Sequence, residues 1–168
     1  LLVNPSDPQV ASVLKAESIV GGTPNDPDSR LPHVVVFLVD DLGFNDVGWA
    51  NDDFVGLTPN IERLKGIGVE LTSYYTQQLC TPARAAVLTG KYPFRTGTQY
   101  EVIQPTESWG LPLNYTLMPE FFKDMGYRTH AVGKWHLGHG YRDLLPHKRG
   151  FDTFYGFLTD QVSNTIEK

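Results

Sequence analysis

Cysteine is almost missing from this sequence: its 168 residues hold one, Cys80. A single thiol cannot form an internal disulfide, which excludes a disulfide-stapled scaffold, and it cannot build a Cys-rich zinc site. Long apolar runs are missing too. The longest, Val34 to Val39, falls far short of the ~20 residues a membrane helix needs, so no membrane span is expected. Positive charge is scarce and scattered, with 14 Lys and Arg against 19 Asp and Glu and a net charge of −5. Phosphate contacts call for clustered Lys and Arg, so no nucleic-acid partner is expected. The densest basic cluster, His147-Lys148-Arg149, reads as a solvated loop. The chain has no initiating Met and no signal peptide with a basic start and an apolar middle. Leu1-Leu2 therefore reads as a cut end, with the targeting information lost.

What remains is an ordinary globular composition, 40% hydrophobic and 20% charged, long enough for one domain with a real core. Residues 1–32 stand apart. They carry Pro5, Pro8, Pro24, Pro27 and Pro32 with Gly21-Gly22, and read as a leader or linker with a weakly patterned helix from Gln9 to Ile19. Residues 33–168 hold the core. His33 to Val39 is a continuous apolar, β-branched run, predicted to be a strand buried on both faces as in a parallel sheet. It stops at Asp40-Asp41-Leu42-Gly43. Thr58-Pro59 predicts a helix start, with Ile61, Leu64 and Ile67 as the apolar stripe and Gly66 and Gly68 as the end. Val69 to Thr76 reads as a second strand. Pro82 to Thr89 reads as a helix closed by Gly90, and Leu117 to Met125 as another stopped by Gly126. Tyr127 to Val132 reads as a strand. This alternation predicts an α/β fold with a largely parallel sheet.

Three polar clusters fall at the ends of these elements, where ligands bind in open α/β sheets. Asp40-Asp41 follows the first strand. Adjacent carboxylates repel, and a hard divalent cation relieves that repulsion; a solvated turn is the bland alternative. Cys80-Thr81-Pro82-Ala83-Arg84 opens a helix. The free N–H groups and dipole there favour a thiolate and hold an anion beside it, and Arg84, within the first turn, can point back at the same spot. A buried structural Cys is the alternative, but it gives Arg84 no purpose. Gly133-Lys134-Trp135-His136-Leu137-Gly138 follows the last strand. In an extended segment Lys134 and His136 face one way and Trp135 the other. A cation with an imidazole suits a tetrahedral oxyanion and a proton transfer; two surface polar residues around a core Trp are the alternative, which this cluster alone does not overturn. His130 reads as a core histidine, and Trp49 and Trp109 as packing residues.

In this order the clusters resemble the type I sulfatases. Cys80-x-Pro82-x-Arg84, followed by an apolar stretch and Thr89-Gly90, is similar to the signature that directs oxidation of the Cys to formylglycine. Val39 to Gly43, Thr58-Pro59-Asn60, Gly133 to Gly138 and Arg149-Gly150-Phe151-Asp152 are similar as well. Tyr74-Tyr75-Thr76-Gln77 and Leu145-Pro146 resemble the arylsulfatase B-like branch most. The resemblance runs from about Pro32 to Leu158 and implies an alkaline-phosphatase-like fold: a mostly parallel mixed sheet flanked by helices, here the N-terminal portion of the catalytic domain, truncated before its C-terminal part.

The same resemblance implies a sulfuric ester hydrolase. Its substrate would be a sulfated small molecule or glycan, such as one bearing N-acetylgalactosamine 4-sulfate. Residue 80 would be 3-oxoalanine (formylglycine), made by the formylglycine-generating enzyme. Once hydrated, this residue would attack sulfur. A calcium ion would take Asp40, Asp41 and residue 80 among its ligands. Arg84 would orient the nucleophile, Lys134 would bind the sulfate oxygens, and His136 would take a proton. Ala83 stands where the usual signature has Ser; Cys, Pro and Arg are the core of what the modifying enzyme reads. The family also brings a later Asp-Asn pair, a second His and a second Lys, none of which lies within these residues. The sequon Asn114-Tyr115-Thr116 and the resemblance together imply a glycoprotein of the secretory pathway, lysosomal or extracellular. Two alternatives stay open: a catalytically incompetent truncated homologue, and another phosphohydrolase of the alkaline-phosphatase superfamily. In the latter the nucleophile is usually Ser or Thr beside two zinc ions.

Overall fold

The computed structural model describes residues 32–159. The expected leader, Pro32 apart, and its helix from Gln9 to Ile19 lie outside the described residues. The chain divides between Tyr75 and Thr76 into two compact units.

In the first unit the expected helix forms as α1, Pro59–Ile67, with Pro59 at its start and Gly68 after its last turn. Thr58 occupies the N-cap position, but its hydroxyl works across the turn instead of capping α1. It accepts the Gly48 N–H at 2.9 Å and donates to Glu62 Oε1 at 3.0 Å. This ties the turn around Val47, which is buried, to the helix. Lys65 sits 5.2 Å from the centroid of Trp49 and pairs with Glu70 at 2.9 Å.

Two sequence expectations fail in this unit. His33 to Val39 is extended but joins no ladder, and Val34 to Val39 stay 43–83% exposed. Residues 69–76 form a turn and irregular chain. The cause is shared. A strand needs a neighbour about 4.8 Å away offering N–H and C=O groups, and a fully apolar one needs layers on both faces. The described residues supply neither. The same lack leaves Ile61, Leu64 and Ile67 of α1 exposed. Trp49, expected to pack inside, lies at the surface under Lys65.

The second unit holds the buried core. Helix α2, Cys80–Thr89, starts two residues earlier than expected and ends as expected at Gly90. This glycine adopts a left-handed φ of 65° and returns its N–H to the Ala86 carbonyl at 2.9 Å. A short turn of helix, α3 (Pro93–Thr96), follows. Helix α4, Met118–Asp124, begins where the Glu120 carboxylate accepts the Leu117 N–H at 2.6 Å. Strand β1, His130–Lys134, starts three residues later than expected and ends two later. It pairs in parallel with β2, Thr153–Phe157, in the register His130↔Thr153 to Lys134↔Phe157. The sequence reading missed β2, although Thr-Phe-Tyr-Gly-Phe is rich in strand formers. Parallel helices-and-sheet architecture is thus present, and it positions the end of β1 beside α2.

Ala85 of α2 packs with Leu111, Leu117, Trp135 and Leu137, flanked by Leu88, Tyr115, Phe151, Phe154 and Leu158. The Trp135 indole meets Phe151 edge-on at 6.2 Å and donates to the carbonyls of Gly138 and Leu144. Glycine is required at the fourth of the five pairs in the ladder. A Cβ on Gly156 would overlap the carbonyl oxygen of its register partner Gly133.

Three further readings change here. Arg149 was expected in a solvated loop, yet it is buried. Its guanidinium donates to the carbonyls of Leu111 (3.1 Å) and Tyr115 (2.9 Å), which fasten the turn before α4. Burial pulls its pKa down, partly opposed by the negative charge of Glu120. His130, expected in the core, is exposed, with Nδ1 2.7 Å from the Thr153 hydroxyl. Among the described residues no layer covers it there. Trp109 is 38% exposed, so it too is not a core residue.

Candidate active site

Cys80 is the first residue of α2, half-buried at its N-terminus. Leu79 precedes it in extended conformation, and the 79 carbonyl accepts the Ala83 N–H at 3.0 Å to close the first turn. Pro82 sits in that turn, where a missing N–H costs nothing. The Lys134 ammonium, at the end of β1, donates to Cys80 Sγ at 3.0 Å. Arg84, one turn further along α2, donates through its guanidinium to the main-chain carbonyl of Lys134. The two cations and the thiol thus meet where a helix N-terminus and a strand C-terminus converge. That setting favours negative charge twice over, through the dipole and through the side chains.

Strand alternation, on which the expectation for His136 rested, stops short of it. β1 ends at Lys134, and His136 has a left-handed φ of 58° with its side chain fully buried. The bend is held at both ends: the His136 N–H donates to the Leu158 carbonyl at 3.1 Å, and its carbonyl accepts the Thr81 hydroxyl at 2.9 Å. Its ring reaches the Ile103 carbonyl through Nε2 at 2.9 Å. Trp135 packs behind into the core, as expected. Sequence reasoning used Thr81 only as a helix starter and did not single out Ile103 at all. No side-chain signal could have found Ile103, because its contribution is a backbone carbonyl.

Asp40 and Asp41 form the turn that ends the extended segment of the first unit, both exposed. As hard oxygen donors side by side they fit a divalent cation such as calcium. They are only part of a full set, since calcium takes about six to eight oxygens. Among the described residues no group of three or more His, Cys, Asp or Glu could hold a metal. Asn114 lies exposed in the turn that the Tyr115 N–H closes onto the Pro112 carbonyl at 3.3 Å. Among the described residues no helix is long and apolar enough to cross a membrane.

Fold and site together define an α/β chain that gathers a thiol, an ammonium and a guanidinium at a helix start, an arrangement suited to a tetrahedral anion. Comparison with known proteins narrows this. The family described as Sulfatase matches residues 32–165. Mouse (Mus musculus) arylsulfatase J is 47% identical over 127 residues, covering 76% of this chain and 21% of that protein. The crystal structure of the PsFucS1 sulfatase from Pseudoalteromonas sp. superposes with a TM-score of 0.69 at 35% identity, covering 90% of this chain and 29% of that one. The crystal structure of Ps i-CgsB in complex with k-i-k-neocarrahexaose gives a TM-score of 0.64 at 35% identity, covering 71% of this chain and 26% of that one. The chain belongs to the sulfatase family, and it spans less than a third of the length of these relatives.

Proposed function

We propose that the protein to which these residues belong hydrolyses sulfate esters, in the manner of an arylsulfatase, with residue 80 as nucleophile. The observation that carries this is the Lys134 ammonium 3.0 Å from Cys80 Sγ at the start of α2. The thiol marks where an oxygen of the modified residue would stand. Oxidised to formylglycine by the formylglycine-generating enzyme, residue 80 supplies a hydrated aldehyde as a nucleophile. Lys134 then faces both that group and the sulfate, and its positive charge grows in value as negative charge builds on the sulfate oxygens in the transition state. Arg84 holds the Lys134 main chain and adds a second cation to the same region. His136 takes the proton released at residue 80. Asp40 and Asp41 would be among the ligands of a calcium ion, which would supply Lewis-acid polarisation.

The substrate is a sulfated small molecule or glycan. Family membership supports this class, and Ps i-CgsB is similar in fold to this chain and was crystallised with k-i-k-neocarrahexaose. N-acetylgalactosamine 4-sulfate is the specific candidate. Residues 33–168 are the N-terminal portion of the catalytic domain and residues 1–32 a leader. The exposed sequon at Asn114 and the need for the modifying enzyme fit a glycoprotein of the secretory pathway, lysosomal or extracellular.

The test combines mass and kinetics on the complete protein from its native host. The peptide carrying residue 80 should be about 18 Da lighter than the thiol form, and the protein should hydrolyse a small aryl sulfate. Lys134→Ala should keep the mass change but lose about 10²–10³-fold in kcat, the range for removing one preorganised donor. An unmodified thiol with no hydrolysis would sink the proposal and favour an incompetent homologue. Hydrolysis of phosphate esters with bound zinc would favour the phosphohydrolase reading.

A further inference from the structure

A closed ring of hydrogen bonds links three distant stretches of chain behind Cys80. The Thr81 hydroxyl donates to the His136 carbonyl at 2.9 Å. The Ile103 N–H donates to the Thr81 hydroxyl at 3.1 Å. The His136 Nε2 lies 2.9 Å from the Ile103 carbonyl. Thr81, Ile103 and His136 are all fully buried. A carbonyl oxygen has lone pairs and no proton, so Nε2 must be the donor. In the neutral ring that leaves the lone pair on Nδ1.

The ring has a consequence for chemistry. Thr81 has one hydroxyl proton, spent on the main chain of His136, and a lone pair that takes the Ile103 N–H. One side chain therefore fixes both the imidazole's backbone and the carbonyl that reads its Nε2. We infer that Thr81, through the Ile103 carbonyl, is a positioning residue that holds His136 in the Nε2–H form and makes Nδ1 its proton-accepting atom. This rests on the proposed role of His136 as proton acceptor. It adds which nitrogen acts and what selects it.

The experiment uses the complete protein labelled with ¹⁵N-histidine, with conversion of residue 80 verified by mass in every sample. In the unmodified sequence the His136 signals should show a pyrrole-like Nε2 and a pyridine-like Nδ1. Thr81→Val keeps the shape of the side chain and removes its hydroxyl. It should mix the two tautomers and lower kcat about 10–100-fold, taking the range known for partners that orient metal-bound histidines, with KM little changed. Thr81→Ser, which restores the hydroxyl, should recover both the spectrum and kcat. A protonated Nδ1 in the unmodified sequence overturns the inference without any variant, so a Thr81→Val protein that fails to fold does not protect it. Wild-type kcat and spectrum in Thr81→Val overturn it as well. His136→Gln separates the two levels. If it keeps full kcat, the proposed role of His136 falls and the inference with it. If it loses kcat while Thr81→Val does not, only the inference falls.

Discussion

Asp152 shows how a single side chain can organise the entrance to a strand. Its carboxylate accepts the Thr129 N–H at 2.9 Å and pairs with Lys123 at 2.8 Å, joining the end of α4 to the residues flanking β1 and β2. The Lys123 hydrogen bond first, then the Thr129 N–H, hold its pKa at about 2, below the ordinary 3.8. A depressed carboxyl pKa means that the folded state holds its proton less tightly than the unfolded chain. The stabilisation is therefore complete above pH ~4 and is lost as the pH falls towards 2. Acid titration of the complete protein, followed by near-UV circular dichroism, should show Asp152→Asn less stable than wild type at pH 6, with the gap closing below pH 3. Residues of this kind were half legible. Cys80, Lys134 and Arg84 announced themselves because charge and nucleophile type are local facts, and the structure brings the three together. Arg149 did not, because its meaning lies in carbonyls some 34–38 positions away. The burial and the bend of His136 were not legible, because alternation holds only while the strand lasts, and β1 stops two residues before it.

Elements with their own punctuation were readable. Pro59 opens α1 and Gly90 closes α2, because a first-turn proline and a left-handed stop are decided within a few residues. Strands were harder, since a ladder is a property of two segments. Val34 to Val39 has the composition of a strand without a partner among the described residues, whereas Thr153–Phe157 has both and was missed. The β1–β2 pair depends on the facing glycines. Gly156→Val should drive a side chain into the Gly133 carbonyl, separate the strands and displace Lys134, the next residue of β1. The expected outcome is a loss of stability of at least ~1–3 kcal/mol, the usual cost of overpacking, together with reduced aryl sulfate hydrolysis. Urea denaturation of the complete protein measures the first. Unchanged stability would show that the strands do not need this close approach.

At the scale of the molecule, the core lies in the second unit, while apolar side chains of the first remain at the surface, from Val34 to Val39 and along α1. Contiguous apolar surface of that kind associates or is covered. The 168-residue chain on its own should therefore bind a hydrophobic dye, form soluble aggregates in size-exclusion chromatography and show little or no aryl sulfate turnover. A monomeric, dye-free and active chain would overturn this. The α/β class was visible in the sequence because helix and strand patterns alternate; the sheet's extent was not, because it depends on which segments come together. The burial of Thr81 and Pro82 also sets an order of events. Under the proposed maturation, an enzyme reading Cys80, Pro82 and Arg84 as one stretch would have access to them while the chain is still open, and would lose it once α2 docks. If residue 80 is converted as proposed, its maturation would be a race with folding, in which a faster-folding variant would leave more of the protein as the plain thiol.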